Sequence, residues 1–169
     1  RNRAKYRGAD AHNGIILGKK NGAEQRLNFG WNHVRPDAKI LETSLTARDA
    51  TAKAQYGEWP QHCRTVKLRE RSVLISDRFV GSVGLSCVWF LHLAPEWDVV
   101  EKNDGHYRFQ NSTGHYLSLK LRGHFEKIEL APYDFSPSYC VAVSGTMLRL
   151  SARNPSGAYA ILLSIEAAA

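Results

Sequence analysis

Residues 61–81, QHCRTVKLRERSVLISDRFVG, limit what this chain can fold into more than any other stretch. In 63–69 apolar and polar residues alternate. Cys63, Thr65, Lys67 and Arg69 face one way, and Val66 and Leu68 the other. That is the period of a half-buried strand. Glu70, Arg71 and Ser72 make a short polar connection, and Val73, Leu74 and Ile75 open a second β-branched run that is expected to end at Ser76-Asp77-Arg78. A connection this short joins only antiparallel neighbours, so the stretch predicts a hairpin. Strand-like segments lie on both sides of it, which places the hairpin inside a sheet and not at its edge.

The rest of the chain repeats the theme. Residues 26–31, 38–45, 86–93, 97–100, 106–110, 115–121, 125–130, 139–143, 147–151 and 158–165 all read as short strands. Asn103-Asp104-Gly105 is a tight-turn signal, and 111–114 and 154–157 are further turns. The polar, Ala-rich stretch 46–56 carries no apolar stripe and reads as strand or loop rather than helix. About a dozen short strands at this spacing predict an all-β fold, an antiparallel β-sandwich in a single domain over 1–169. No run is long and apolar enough for a membrane helix. The chain opens Arg1-Asn2-Arg3 without Met or a signal peptide, as a processed or trimmed chain would.

With 23 Lys+Arg against 16 Asp+Glu, the net charge is +7. Such an excess either keeps a surface soluble or attracts polyanions. The cations are scattered, which speaks against a membrane-surface role. No nucleic-acid reading motif accompanies the charge. Cys63, Cys87 and Cys140 stand far apart in apolar contexts and read as buried free thiols.

Seven histidines are the main candidates for chemistry, and none forms an HxH or HExxH metal motif. His92, inside an apolar strand, reads as structural. His106, His115 and His124 flank turns and read as solvated. His12 differs: it follows a basic aromatic segment, precedes Asn13, and enters the apolar run Ile15-Ile16-Leu17. A ligand or a base can be presented from such a strand end.

Four blocks carry a family resemblance. They are Tyr6-Arg7-x-x-x-Ala11-His12-Asn13; His62-x-Arg64 with Val66, Ile75-x-Asp77-Arg78 and Gly81; Trp89-Phe90-x-His92-x-Ala94-Pro95-Glu96; and Ser136-Pro137-x-Tyr139. In content and order they resemble the C-terminal β-sandwich domain of the heparinase II/III-like polysaccharide lyases. Gly14 and Cys140 depart from that pattern, which usually has Thr and Gly there.

The resemblance implies β-elimination on uronate-containing acidic polysaccharide, of heparin, heparan sulfate or alginate type. It implies a periplasmic or extracellular setting. It implies His12 as one ligand of a divalent metal, zinc or calcium, with the partner ligands upstream. It makes Arg7, Asn13 and His62 candidates for the substrate cleft, with His62 leaning structural, and Asp77 with Arg64 a strand tie. The family's HxHxD and DxG strands precede the block containing His12, and its catalytic Tyr, Asn and His lie on an α-helical toroid. The expectation is therefore a C-terminal piece of a larger lyase, inactive alone, whose partners are acidic polysaccharide and that helical domain, with neither nucleic acid nor membrane among them. The alternatives are a non-catalytic module binding acidic polysaccharide, with Trp31, Trp59 or Trp97 as stacking platforms, or part of a surface-polysaccharide assembly system.

Overall fold

Most of the segments read as strands are strands among the described residues; of the stretch read at 139–143, Val141 and Ala142 are not, and 139–140 lie outside the described residues. The structure, a computed structural model, describes residues 9–17, 24–26, 30–32, 38–46, 50–56, 61–81, 84–136, 138, 141–155 and 157–166. Among these, a short 3-10 turn at Ala9–Ala11 precedes fourteen strands: β1 (Ile15–Leu17), β2 (Glu24–Arg26), β3 (Gly30–Asn32), β4 (Ala38–Leu45), β5 (Ala50–Tyr56), β6 (Gln61–Arg69), β7 (Ser72–Val80), β8 (Ser86–His92), β9 (Trp97–Asn103), β10 (His106–Asn111), β11 (Tyr116–Arg122), β12 (Lys127–Phe135), β13 (Val143–Arg153) and β14 (Gly157–Glu166). The all-β class of an antiparallel sandwich is borne out, with sheets of four and eight strands and a separate β2–β3 pair. Among the described residues no helix is long and apolar enough to cross a membrane.

The chain divides into two compact units, residues 1–37, 82–95 and 125–155 in the first and 38–81, 96–124 and 156–169 in the second. The first holds the four-stranded sheet, in order β1-β8-β13-β12. Its buried face is set by register: Cys87 lies opposite Ala152, Trp89 opposite Leu150 and Leu91 opposite Leu148, all withdrawn from solvent. Phe125 meets the Trp89 ring edge-on at 5.3 Å, a favoured aromatic geometry. Pro132 lies within β12, which is an edge strand of this sheet. A missing N–H is tolerated at an edge, where it need not face a neighbour.

The second unit holds the eight-stranded sheet, in order β4-β5-β6-β7-β14-β11-β10-β9. The hairpin read at 61–81 is β6–β7, and it lies inside this sheet with β5 and β14 beside it. Period 2 sorts its residues. His62, Asp77, Phe79, Tyr159, Ile161, Leu117, Leu119, Tyr107 and Phe109 are buried. Lys67, Arg69, Lys120 and Arg122 are on the opposite, exposed side. β7 runs past the expected end at Arg78 to Val80. The polar Ser-Asp-Arg run resembles a terminus, but Asp77 is only 2% exposed and its charge is met inside the sheet. The tie expected between Arg64 and Asp77 is present: Arg64 donates through Nε at 2.8 Å and Nη2 at 3.0 Å, the two residues being register partners.

Cys87 is buried as expected, whereas Cys63 is only half-buried. Cys140 lies outside the described residues. Gly123, at φ +116°, leaves no room for a side chain, because an added Cβ would lie 2.6 Å from Cδ1 of Tyr159.

Candidate functional site

His12 and Asn13 are held where the 3-10 turn Ala9–Ala11 gives way to β1. Two features fix that junction. The Phe90 N–H donates to the Gly14 carbonyl at 3.0 Å, and β1 then pairs with β8, Ile15 opposite Trp89 and Leu17 opposite Cys87. The end of β8 carries His92. Its backbone N–H donates to Asn13 Oδ1 at 2.6 Å, and its ring Nδ1 lies 3.1 Å from the same oxygen. A backbone N–H can only donate, so the Asn13 atom facing it is the oxygen, and Nδ1 of His92 carries the hydrogen. Asn13 thereby fixes both the orientation and the tautomer of His92.

Tyr133 of β12 closes the other side. Its ring meets His92 edge-on at 4.6 Å, and its hydroxyl donates to the Leu93 carbonyl at 2.5 Å. Gly145, the register partner of Tyr133, makes this approach possible. A Cβ there would lie 2.5 Å from Cε1 of Tyr133.

The result is an open cavity of about 600 Å³ in the first unit, lined by Asp10, His12, His92, Tyr133, Asp134 and Met147 among others. His92 is half-buried, and burial pushes its pKa below the ordinary 6.5. A hydrogen bond to the Asp10 backbone and the Asp10 charge favour the imidazolium, the charge of His12 opposes it, and burial prevails. The neutral ring is therefore the form at neutral pH. The cavity offers two imidazoles and a phenol ring beside open space, a set that can hydrogen-bond a polar ligand and exchange protons with it.

The candidate residues divide. His12 and Asn13 come together here, with His92 added to them. His62 does not line this cavity. It is buried in the second unit, where its Nε2 donates to Asp77 Oδ1 at 2.7 Å and its ring stacks on Phe79 at 4.9 Å. Arg7 lies outside the described residues, as do Trp59 and the side chain of Trp31. His106 is half-buried, its Nε2 3.0 Å from Ser118 Oγ, and is not simply solvated as expected. His92 has the hydrogen bonds expected of a structural histidine and is also part of the cavity. The available signal was its place near the end of an apolar strand, at a position out of step with Cys87, Trp89 and Leu91.

The donor set does not by itself fit a metal ion. Among the described residues no three His, Cys, Asp or Glu side chains gather closely enough to hold one. Nδ1 of His92 is turned to Asn13.

No family model and no curated protein matches the sequence. Solved structures do match the fold. Heparan sulfate lyase HepC from Pedobacter heparinus is similar at a TM-score of 0.74 and 14% identity, over 96% of this chain and 25% of that one. The heparinase III BT4657 gene product is similar at 0.75 and 15% identity, over 98% of this chain and 25% of that one. The chain thus spans about a quarter of those lyase chains, and at this identity the likeness is one of fold.

Proposed function

We propose that this chain is the β-sandwich portion of a polysaccharide lyase acting by β-elimination on uronate-containing acidic polysaccharide, and that its His12 cavity forms part of the substrate cleft. One observation carries the reading. Nearly the whole chain follows the fold of heparan sulfate lyase structures, and within that fold His12 of the family-like block opens onto a cavity with a second histidine.

The chemistry explains the division of labour. The C5 proton of a uronate is weakly acidic, so its removal needs the carboxylate's charge countered and a base positioned at C5. Asn13 and His92 hold the cavity wall, and His12 presents an imidazole to the ligand. The base and the proton donor to the leaving oxygen come from a helical domain of the same protein. A zinc or calcium ion, if His12 is one of its ligands, would take its remaining ligands from beyond the described residues and would supply charge and orientation. The setting that suits such a protein is periplasmic or extracellular.

Two measurements test this. The 169-residue chain alone should give no unsaturated-uronate absorbance from heparin, heparan sulfate or alginate. On titration with a heparan sulfate oligosaccharide, the ring NMR signals of His12 and His92 should shift. Turnover by the chain alone, or histidine signals that stay fixed at saturating oligosaccharide, would refute the reading.

A further inference from the structure

A second cavity lies on the exposed side of the eight-stranded sheet, a groove of about 400 Å³. Its walls and floor follow from register. Lys67 of β6, Leu74 of β7, Leu162 of β14 and Lys120 of β11 form one row across four neighbouring strands. On one side of it runs the row Thr65, Ser76, Ala160, Arg122, and on the other the row Arg69, Ser72, Ser164, Ser118. The two central strands carry short or aliphatic side chains, and the two flanking strands carry Lys67, Arg69, Lys120 and Arg122. Long cations beside short floor residues make a trough.

The charge of this trough is uncompensated. No carboxylate lines it. Among the described residues none of the four cations has an ion-pair partner. Arg108, on the neighbouring strand β10, does have one in Glu166 at 3.0 Å. Three inter-strand steps separate the walls, about 14 Å, and two residues along a strand separate the cations within each wall, about 7 Å. Across the roughly 14 Å between walls physiological salt largely screens the charges. The roughly 7 Å within each wall lies inside the ~8 Å Debye length, so the two cations of a wall still repel, and an anionic ligand relieves that repulsion.

We propose that this groove binds an acidic polysaccharide segment that crosses the sheet from β6 to β11. The inference rests on the polysaccharide reading above and adds a site to it. The spacing asks for several anionic groups on one extended ligand, since a single small anion does not reach both walls. Ser72 and Ser76 offer hydroxyls to sulfate, carboxylate or sugar hydroxyls. No aromatic ring lines the groove, so it lacks the stacking platform on which single-stranded nucleic acid depends.

The test is calorimetric titration of the full 169-residue chain with a heparin-derived oligosaccharide and with a single-stranded oligodeoxynucleotide of equal charge, at low and physiological salt. The groove variant carries Lys67→Ala, Arg69→Ala, Lys120→Ala and Arg122→Ala. The control carries Lys102→Ala, Lys127→Ala, Arg149→Ala and Arg153→Ala, four exposed cations outside the groove, and so loses the same net charge. The groove variant should bind the oligosaccharide about tenfold more weakly or worse, with a flatter salt dependence, and the control should lose about threefold at most. Lys67→Ala with Lys120→Ala alone should show an intermediate loss and serves if the fourfold variant melts early. Equal losses in groove variant and control overturn the site. If His12 and His92 still respond to oligosaccharide in that case, the function reading survives without the groove. Absence of wild-type binding overturns both. Tighter, groove-dependent binding of the oligonucleotide overturns the assignment to polysaccharide.

Discussion

Replacing Asp77 by Asn removes one charge at nearly constant volume from the second unit. Asp77 is 2% exposed and accepts hydrogen bonds from Arg64 Nε at 2.8 Å, Arg64 Nη2 at 3.0 Å and His62 Nε2 at 2.7 Å. An amide in its place turns an N–H toward one of these donors and removes the carboxylate charge that faces Arg64, whose side chain is only 16% exposed. Breaking one side of a buried pair costs about 3–5 kcal/mol, a large share of the ~5–15 kcal/mol that holds a typical domain folded. For a chain of this length that lowers Tm by roughly 6–20 °C. Urea unfolding followed by tryptophan fluorescence reads the change as a lower midpoint at unchanged slope. Asp77→Leu combined with Arg64→Met should cost less than Asp77→Asn alone, because both charges then leave together. A loss below about 1 kcal/mol for Asp77→Asn, or a double variant as damaging as the sum of its single changes, would refute the assignment. The pH dependence follows with a definite sign. Burial raises the Asp77 pKa, but hydrogen bonds from His62 and Arg64 and their charge outweigh it, leaving the folded value below the ordinary 3.8. The unfolded carboxyl takes its proton first as pH falls. The pair's contribution is therefore present above about pH 4 and is lost as pH falls through the folded value.

Gly145→Ala should destabilise the first unit by about 1–3 kcal/mol, since its Cβ would lie 2.5 Å from Cε1 of Tyr133. A thermal melt reads the loss, and a melt unchanged within about 1 °C would contradict the packing described. His92 should add a second pH dependence. Its folded pKa lies below 6.5, so the unfolded chain protonates first and stability falls as pH drops below 6.5. His92→Gln should flatten the urea midpoint between pH 5 and 7, and an unaltered slope there would remove His92 from the titration.

The hairpin at 61–81 was legible because 63–69 alternate, 73–75 form a β-branched run and the connection between them is short, and the tie between Arg64 and Asp77 came from the family resemblance and is met by the register. The turns at 103–105 and 111–114 were legible from Asn, Asp and Gly. Boundaries were harder. β12 was expected to stop near Leu130 and runs to Phe135 through Pro132, because an edge strand tolerates a proline that would interrupt a central one. β13 reaches from Val143 to Arg153, past the window read at 147–151, because Ala152 still faces the core. The cavity was half legible. His12 and Asn13 stood out by context, but His92 is bonded to Asn13 across 79 positions of sequence. No local pattern reports the pairing of β1 with β8 that brings them together. The groove was hidden for a similar reason. Lys67 and Arg69, and Lys120 and Arg122, are unremarkable pairs until β7 and β14 are laid between them.

The buried ion pair and the basic groove are linked by the geometry of one sheet. Successive residues of β6 point to opposite faces, so Arg64 belongs to the buried side and Lys67 and Arg69 to the exposed one. A slip of one residue between β6 and β7 would move the Asp77 carboxylate off its register partner Arg64 or turn a strand over. Turning β7 over would bring the Asp77 carboxylate among the groove's cations and send Ser72, Leu74 and Ser76 to the interior. The bidentate bond from Arg64, with His62 on the same oxygen, is directional and is lost in any slipped register. Apolar contacts between Val66 and Ile75, or between Leu68 and Val73, discriminate registers less sharply, because neighbouring positions offer similar residues. The pair at Arg64 and Asp77 therefore does more than join two strands. It sets which side chains of β6 and β7 face outward, and so sets one wall of the groove and the part of its floor that β7 supplies.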